Sequence, residues 1–136
     1  MMITMTTIEI MTMMMTINLK IKSTDSYKDE ILEDVVAQKK VSSESFIYSY
    51  SSEIGETELT FFGNRFKMER KGQTLGKLYF LENGLGNFYL EAYGLKESFK
   101  VKNGKLVYNE EKITVSYDLY KDNEVVNSLN IHIFEK

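Results

Sequence analysis

His132 is the one histidine of the 136-residue chain, and there is no cysteine. Disulfides, thiolate nucleophiles, thiolate metal sites and multi-histidine metal centres are therefore excluded, and any serine–histidine arrangement has to use that single imidazole. His132 sits opposite Ile131 and Ile133 in an alternating run, which puts it on an outer face. The carboxylate pairs Glu33-Asp34 and Glu110-Glu111 are neighbours in the chain. In extended backbone adjacent side chains point to opposite faces, so neither pair suits acid–base work. No glycine-rich phosphate loop and no metal-ligand spacing is present. These residues predict a protein that is not an enzyme, with no cofactor and no metal.

The chemistry that remains is polar anchoring. Arg70 ends the alternating row Phe66, Met68, Arg70, and Glu97 lies in the row Leu95, Glu97, Phe99. Both rows face inward if their aromatic members do, and an inward charge is costly unless it is paired or bound to a ligand. One reading is a polar floor or mouth in which the guanidinium fork holds a ligand's acidic group. The other is a structural ion pair closing one end of the fold. Tyrosines 48, 50, 79, 89, 93, 108 and 117 either line a cavity of mixed polarity or fill the core with their hydroxyls at the surface. A basic run, Arg65, Lys67, Lys71, Lys77, Lys96, Lys100, Lys102 and Lys105, makes a positive stripe if its strands are neighbours, and Phe62 and Tyr120 would give bases a stacking surface.

Strands must position these groups. Over residues 65–94 three apolar-alternating runs are punctuated by Lys71-Gly72 and Asn83-Gly84, which predicts two consecutive hairpins. Ile17, Leu19 and Ile21 alternate with polar residues in a first strand, and Phe46, Tyr48 and Tyr50 do so in a later one. Turns are expected at 53–56, at Gly63-Asn64, at Asn103-Gly104 and at Asp122-Asn123. The last two strands carry Ile113, Val115, Tyr117 and Leu119, then Val125, Leu129, Ile131 and Ile133. Segment 29–41 fits a helix by its Ile31, Leu32, Val35 and Val36 spacing, with residues 23–26 as N-cap candidates, or a strand by Ile31, Val35, Ala37 and Val41.

Nine or ten short strands joined by tight turns, without a long crossover, imply consecutive antiparallel pairing. An up-and-down β-barrel removes the edges such a sheet would expose. The chain has the length of one domain with one core, and the absence of proline leaves every strand its donors. A formal charge of −3 gives no global reason to expect a nucleic acid or an anionic membrane as partner. Seven of the eight methionines lie in the first 16 residues, and no Lys or Arg precedes Lys20, so a secretory signal is not indicated. Residues 1–14 read as an extension outside the core and 15–136 as a single barrel domain; the alternative is a real extra strand or helix.

Met68-Glu69-Arg70-Lys71-Gly72, Leu78-Tyr79-Phe80, Tyr89 with Tyr93-Gly94, and Tyr117-Asp118-Leu119 with Leu129-Asn130-Ile131 resemble an uncharacterised family of small bacterial β-barrels, the YwiB-like domain of unknown function. The resemblance covers the chain from Thr16 to the C-terminus. It implies a lipocalin-like, or calycin, barrel of about 8–10 strands, with 29–41 as a strand of its wall. This chain departs from the family's pattern in having Glu91-Ala92 where that pattern has Thr-Pro, and Tyr27 or Lys28 where it has glycine. The family brings no activity with it. The resulting expectation is a cytoplasmic, non-enzymatic barrel binding a small, partly apolar ligand in its mouth. Arg70 and Glu97 would anchor that ligand, with Tyr89, Tyr93 and Tyr117 beside them. The alternative is a filled barrel that acts as an interaction module, using its outer face or an open edge to hold a protein or RNA partner.

Overall fold

The computed structural model describes residues 13–136. Ten strands follow in order: β1 (Met13–Asp25), β2 (Glu30–Val41), β3 (Ser45–Ser52), β4 (Gly55–Phe62), β5 (Arg65–Gly72), β6 (Thr74–Leu81), β7 (Gly86–Ala92), β8 (Leu95–Tyr108), β9 (Lys112–Lys121) and β10 (Glu124–Glu135). Each pairs antiparallel with the next, and β1 pairs with β10 over Leu19↔Glu135 to Asp25↔Leu129, closing a barrel in sequential order. The protein is all-β, as the alternating rows predict. β1 begins at Met13, two residues before the expected start of the domain, and residues 1–12 of the expected extension lie outside the described residues.

Alternation sets the two faces. Leu19 and Ile21 of β1, Leu59 and Phe61 of β4, Leu78 and Phe80 of β6, Val115, Tyr117 and Leu119 of β9, and Ile131 and Ile133 of β10 are buried. The residues between them face water. Inward rings form a continuous chain: Phe46 stacks on Phe61 at 4.8 Å, Phe61 contacts Phe66 at 5.1 Å and Phe66 contacts Phe80 at 5.6 Å along the neighbouring strands β3 to β6, and Phe80 reaches across to Tyr117 of β9 at 5.8 Å. That chain of contacts runs from β3 to the far wall, so side chains occupy the barrel axis.

Turn chemistry places the rims. The loops β1–β2, β3–β4, β5–β6, β7–β8 and β9–β10 form a first rim, and the other loops with the C-terminal end of β10 form the second. Asp122 and Asn123 both have positive φ, 53° and 67°, as a two-residue turn matched to strand twist requires. Asn83 does likewise at 59°. Lys28, in the β1–β2 hairpin, adopts φ 65°, and Tyr93 adopts φ 52°. Neither has the short polar side chain that makes this region cheap, so these two hairpins carry local strain.

Segment 29–41 is strand β2, the wall strand that the resemblance implies and one of the two readings its spacing allows, and Asp25 serves the β1–β2 hairpin and caps no helix: its Oδ1 accepts from the amides of Tyr27 (2.9 Å) and Asp29 (3.0 Å). The same short carboxylate chemistry suits both structures. One expectation is corrected. Asn103-Gly104 is a bulge inside β8, since the register with β9 shifts between Lys102 and Lys105 and the chain then runs straight on. Asn103 takes the left-handed conformation, φ 58°, that a hairpin would also have used.

Candidate functional site

Arg70 points inward near the first rim, as its row predicts. It pairs across β4 with Thr57 and across β6 with Gly76. Its Nε donates to Thr57 Oγ1 at 2.8 Å, and its Nη2 donates to Glu33 Oε1 and to the Tyr50 hydroxyl, both at 3.3 Å. Glu33 belongs to β2 and reaches Arg70 across the lumen. It is 9% exposed, and its second oxygen, Oε2, is buried without a hydrogen-bond partner among the described residues. Burial pushes the Tyr50 hydroxyl above its ordinary range, with the Glu33 charge adding to the rise and Arg70 opposing it. Burial also raises the Tyr117 hydroxyl, with the Arg70 charge opposing the rise.

The other expected anchors lie apart. Glu97 has the inward parity of Phe99 but sits at the rim, exposed, where Lys121 Nζ donates to it at 2.7 Å. Parity gives a side chain's direction, and at a strand end that direction leads out of the barrel into water. Tyr89 is outward on β7 and donates to Glu91 Oε2 at 3.1 Å. Tyr93 occupies the β7–β8 turn at 88% exposure. So of the five residues expected to gather around a ligand, Arg70 and Tyr117 face the interior, without a hydrogen bond between them, and Glu97, Tyr89 and Tyr93 do not.

Glu33, Thr57 and Tyr50 complete the Arg70 cluster, and the sequence held a signal for one of them. The strand reading of 29–41 takes Ile31, Val35 and Ala37 as one face, and Glu33 is the polar member of that row. An inward carboxylate in an apolar row calls for an inward cation, and Arg70 is that cation.

Beside Glu33 the wall opens. β2 pairs with β1 along its length, but with β3 only from Gln38↔Ser49 to Val41↔Phe46. Among the described residues, therefore, no strand lies on the β3 side of residues 30–37 of β2 or on the β2 side of residues 50–52 of β3. In an antiparallel strand alternate residues point their N–H and C=O groups to each edge. The open stretch thus presents unpaired main-chain donors and acceptors. A trench of about 570 Å³ follows it, lined by residues 31–36 and 51–54. Ile31, Leu32, Val36 and Ile54 are exposed there, Leu32 at 56% and Val36 at 63%.

At the second rim, Lys39 and the Tyr48 hydroxyl both donate to Glu135 Oε2, and the Lys39 ammonium lies 5.2 Å from the Phe46 ring centroid. Burial, then the Glu135 carboxylate, push the Tyr48 hydroxyl far above the ordinary tyrosine value. The sign follows from linkage. Above about pH 10 the unfolded chain releases tyrosine protons that the folded state retains, so stability is full below that pH and falls as pH rises. Buried Tyr50 and Tyr117 act in the same direction. The melting temperature is expected to hold level from about pH 7 to 9 and to drop progressively above about pH 10. Tyr48→Phe should flatten part of that drop. Melting followed by far-UV circular dichroism checks this, and a level curve up to about pH 11 contradicts it.

On the outer wall β5 to β8 are consecutive neighbours, so the basic run does share a surface. Lys67, Tyr79, Asn87, Lys100 and Tyr120 form one cross-strand row. Lys102 stands 4.6 Å over the Tyr120 ring. His132 faces outward, with Nδ1 3.3 Å from Thr114 Oγ1.

Fold and wall define a class: a small closed barrel of ten antiparallel strands in sequential order, with a packed lumen and one partly opened seam. The chain is similar in structure to the YwiB protein from Bacillus subtilis, seen in a crystal structure; the match has a TM-score of 0.67 and 16% sequence identity, and covers 90% of this chain and 93% of that one. At that identity the likeness establishes a shared fold. No family model matches the sequence, and no curated protein matches it.

Proposed function

We propose that this protein is a non-enzymatic, cytoplasmic interaction module that holds an extended segment of another protein along the open edge of β2. The observation that carries this is the seam: eight residues of β2 paired on one side only, beside a trench with exposed Leu32 and Val36. An unpaired edge accepts an incoming strand through main-chain hydrogen bonds, while pockets along it select side chains. The aromatic contacts that span the lumen favour this reading over a small ligand inside the barrel, and the polar anchors once assigned to such a ligand are dispersed. The cytoplasmic setting rests on the absence of cysteine. The fold shared with YwiB, together with the sequence resemblance, supports placement among the YwiB-like, lipocalin-like barrels.

Selection from a displayed peptide library against the full chain is the direct test. Enriched peptides should slow amide hydrogen exchange in residues 30–37, and Leu32→Lys, which puts a charge on the open edge, should abolish their binding. Peptides that protect other strands and leave these amides unchanged would sink the proposal.

A further inference from the structure

We infer that the segment held at this seam carries a lysine or arginine on its inward face, positioned opposite Glu33 and flanked two residues on either side by apolar side chains. This rests on the edge reading above and adds the chemistry of the partner. Two separate observations carry it. Glu33 Oε2 is a buried acceptor with no donor among the described residues, and such an atom costs free energy until something donates to it. Arg70 does not serve it: no Arg70 nitrogen makes a hydrogen bond to Oε2, while Nη2 reaches Oε1 and Tyr50 and Nε reaches Thr57. The second observation is charge. Glu33, Asp34 and Glu53 line the trench, and among its described lining residues there is no lysine, arginine or histidine; Arg70 pairs with Glu33 Oε1 and Lys136 with Asp34 from outside that lining, and Glu53 has no such partner among the described residues.

Register then fixes the pattern. A strand added to the β2 edge places one residue directly opposite each β2 residue, on the same face, with Cβ atoms about 5 Å apart. Opposite Glu33 the incoming side chain points into the barrel end, where its cation lies within reach of Oε2. Two residues to either side it meets Ile31 and Val35, and apolar side chains fit there. Ser51 and Ser52 on the β3 side of the opening are small, which leaves room for a long stem to pass. A second copy of this chain is a poor occupant in the registers centred on the seam, because antiparallel β2–β2 pairing about residues 33–34 would set Glu33 and Asp34 against the same carboxylates.

The test uses a nine-residue alternating threonine–valine peptide with a terminal fluorophore, made in three versions with lysine, norleucine or glutamate at the central inward position. Fluorescence anisotropy with the full chain is expected to show the lysine version binding at least tenfold more tightly than norleucine, and glutamate not binding. Glu33→Gln should shrink the lysine advantage to about twofold. Ser52→Leu, which narrows the opening and leaves both Glu33 and Arg70 in place, should shrink it too, and it keeps the test open if Glu33→Gln fails to fold. Equal binding of lysine and norleucine peptides, with residues 30–37 protected from exchange, overturns the inference and leaves the edge reading standing. If no peptide binds and those amides stay unprotected, both fall. Sedimentation showing a dimer of the free chain that Leu32→Lys dissociates would make the occupant a second copy and overturn the inference as well.

Discussion

Arg70→Leu is expected to destabilise the barrel by about 3 kcal/mol, and Arg70→Leu combined with Glu33→Leu to restore most of the loss. Arg70 donates three hydrogen bonds, to Thr57, Glu33 and Tyr50, and all three acceptors are buried. Removing the guanidinium leaves a carboxylate at 8% side-chain exposure with neither counter-charge nor donor. An uncompensated buried charge of this kind costs roughly 3–5 kcal/mol. The lower end applies here because the Arg70 side chain retains 21% exposure, so water already screens the pair. Taking out both partners leaves no orphan, and leucines of similar volume bury apolar surface instead. Thermal melts should therefore show a drop of about 10 °C for Arg70→Leu and only a few degrees for the double variant, given the size of the chain. Additive losses in the double variant would mean that the two residues act independently, and the cluster would lose its physical basis.

The same residues mark where the sequence was legible. Rows with one clean period, such as Ile113 to Leu119 facing Leu129 to Ile133, gave both strand and inward face, because alternation has a single structural solution. Arg70 could be placed inward for that reason. Segment 29–41 was ambiguous because four of its apolar residues sit where helix and strand compete. In the strand, Leu32 and Val36 face water, a placement that propensity argues against and that makes sense only with the seam beside them. Glu97 was misplaced for a geometric reason: the barrel rim cuts its row before it reaches the lumen. Tyr93 was misplaced because Tyr-Gly lacks the short polar residue that signals a left-handed turn, although its backbone makes one. The seam itself was illegible. It arises from how far β2 and β3 run together, and no local pattern encodes the point at which two paired strands part.

Asn103-Gly104 shows the converse, a signal read correctly and assigned to the wrong structure, and it leads to the second large effect. Gly104→Ala is expected to cost about 2 kcal/mol, within the usual range for overpacking a core. A Cβ built at Gly104 would lie 2.3 Å from Phe80 Cδ1 and 2.6 Å from its Cε1. The ring has nowhere to go. Phe80 is fully buried, touches Phe66 and Tyr117, and meets Gly86 on its other flank, where an added Cβ would lie 2.5 Å from the Phe80 Cβ. The bulge backbone cannot retreat cheaply either. The Gly104 carbonyl accepts from the Asn83 amide at 3.1 Å, and the Leu106 amide donates to Glu82 Oε2 at 2.9 Å, tying the bulge to the β6–β7 loop. The glycine is thus required by volume: the bulge brings β8 against the fully buried Phe80 ring, and only a hydrogen fits between them. A smaller side chain should relieve the conflict. Phe80→Leu alone loses ring contacts and destabilises, but in that background Gly104→Ala should cost well under 1 kcal/mol, a coupling that a double-mutant cycle from urea melts resolves. If Gly104→Ala costs the same with phenylalanine or leucine at position 80, the bulge is responding to backbone conformation at Gly104, and the packing account of the filled lumen fails.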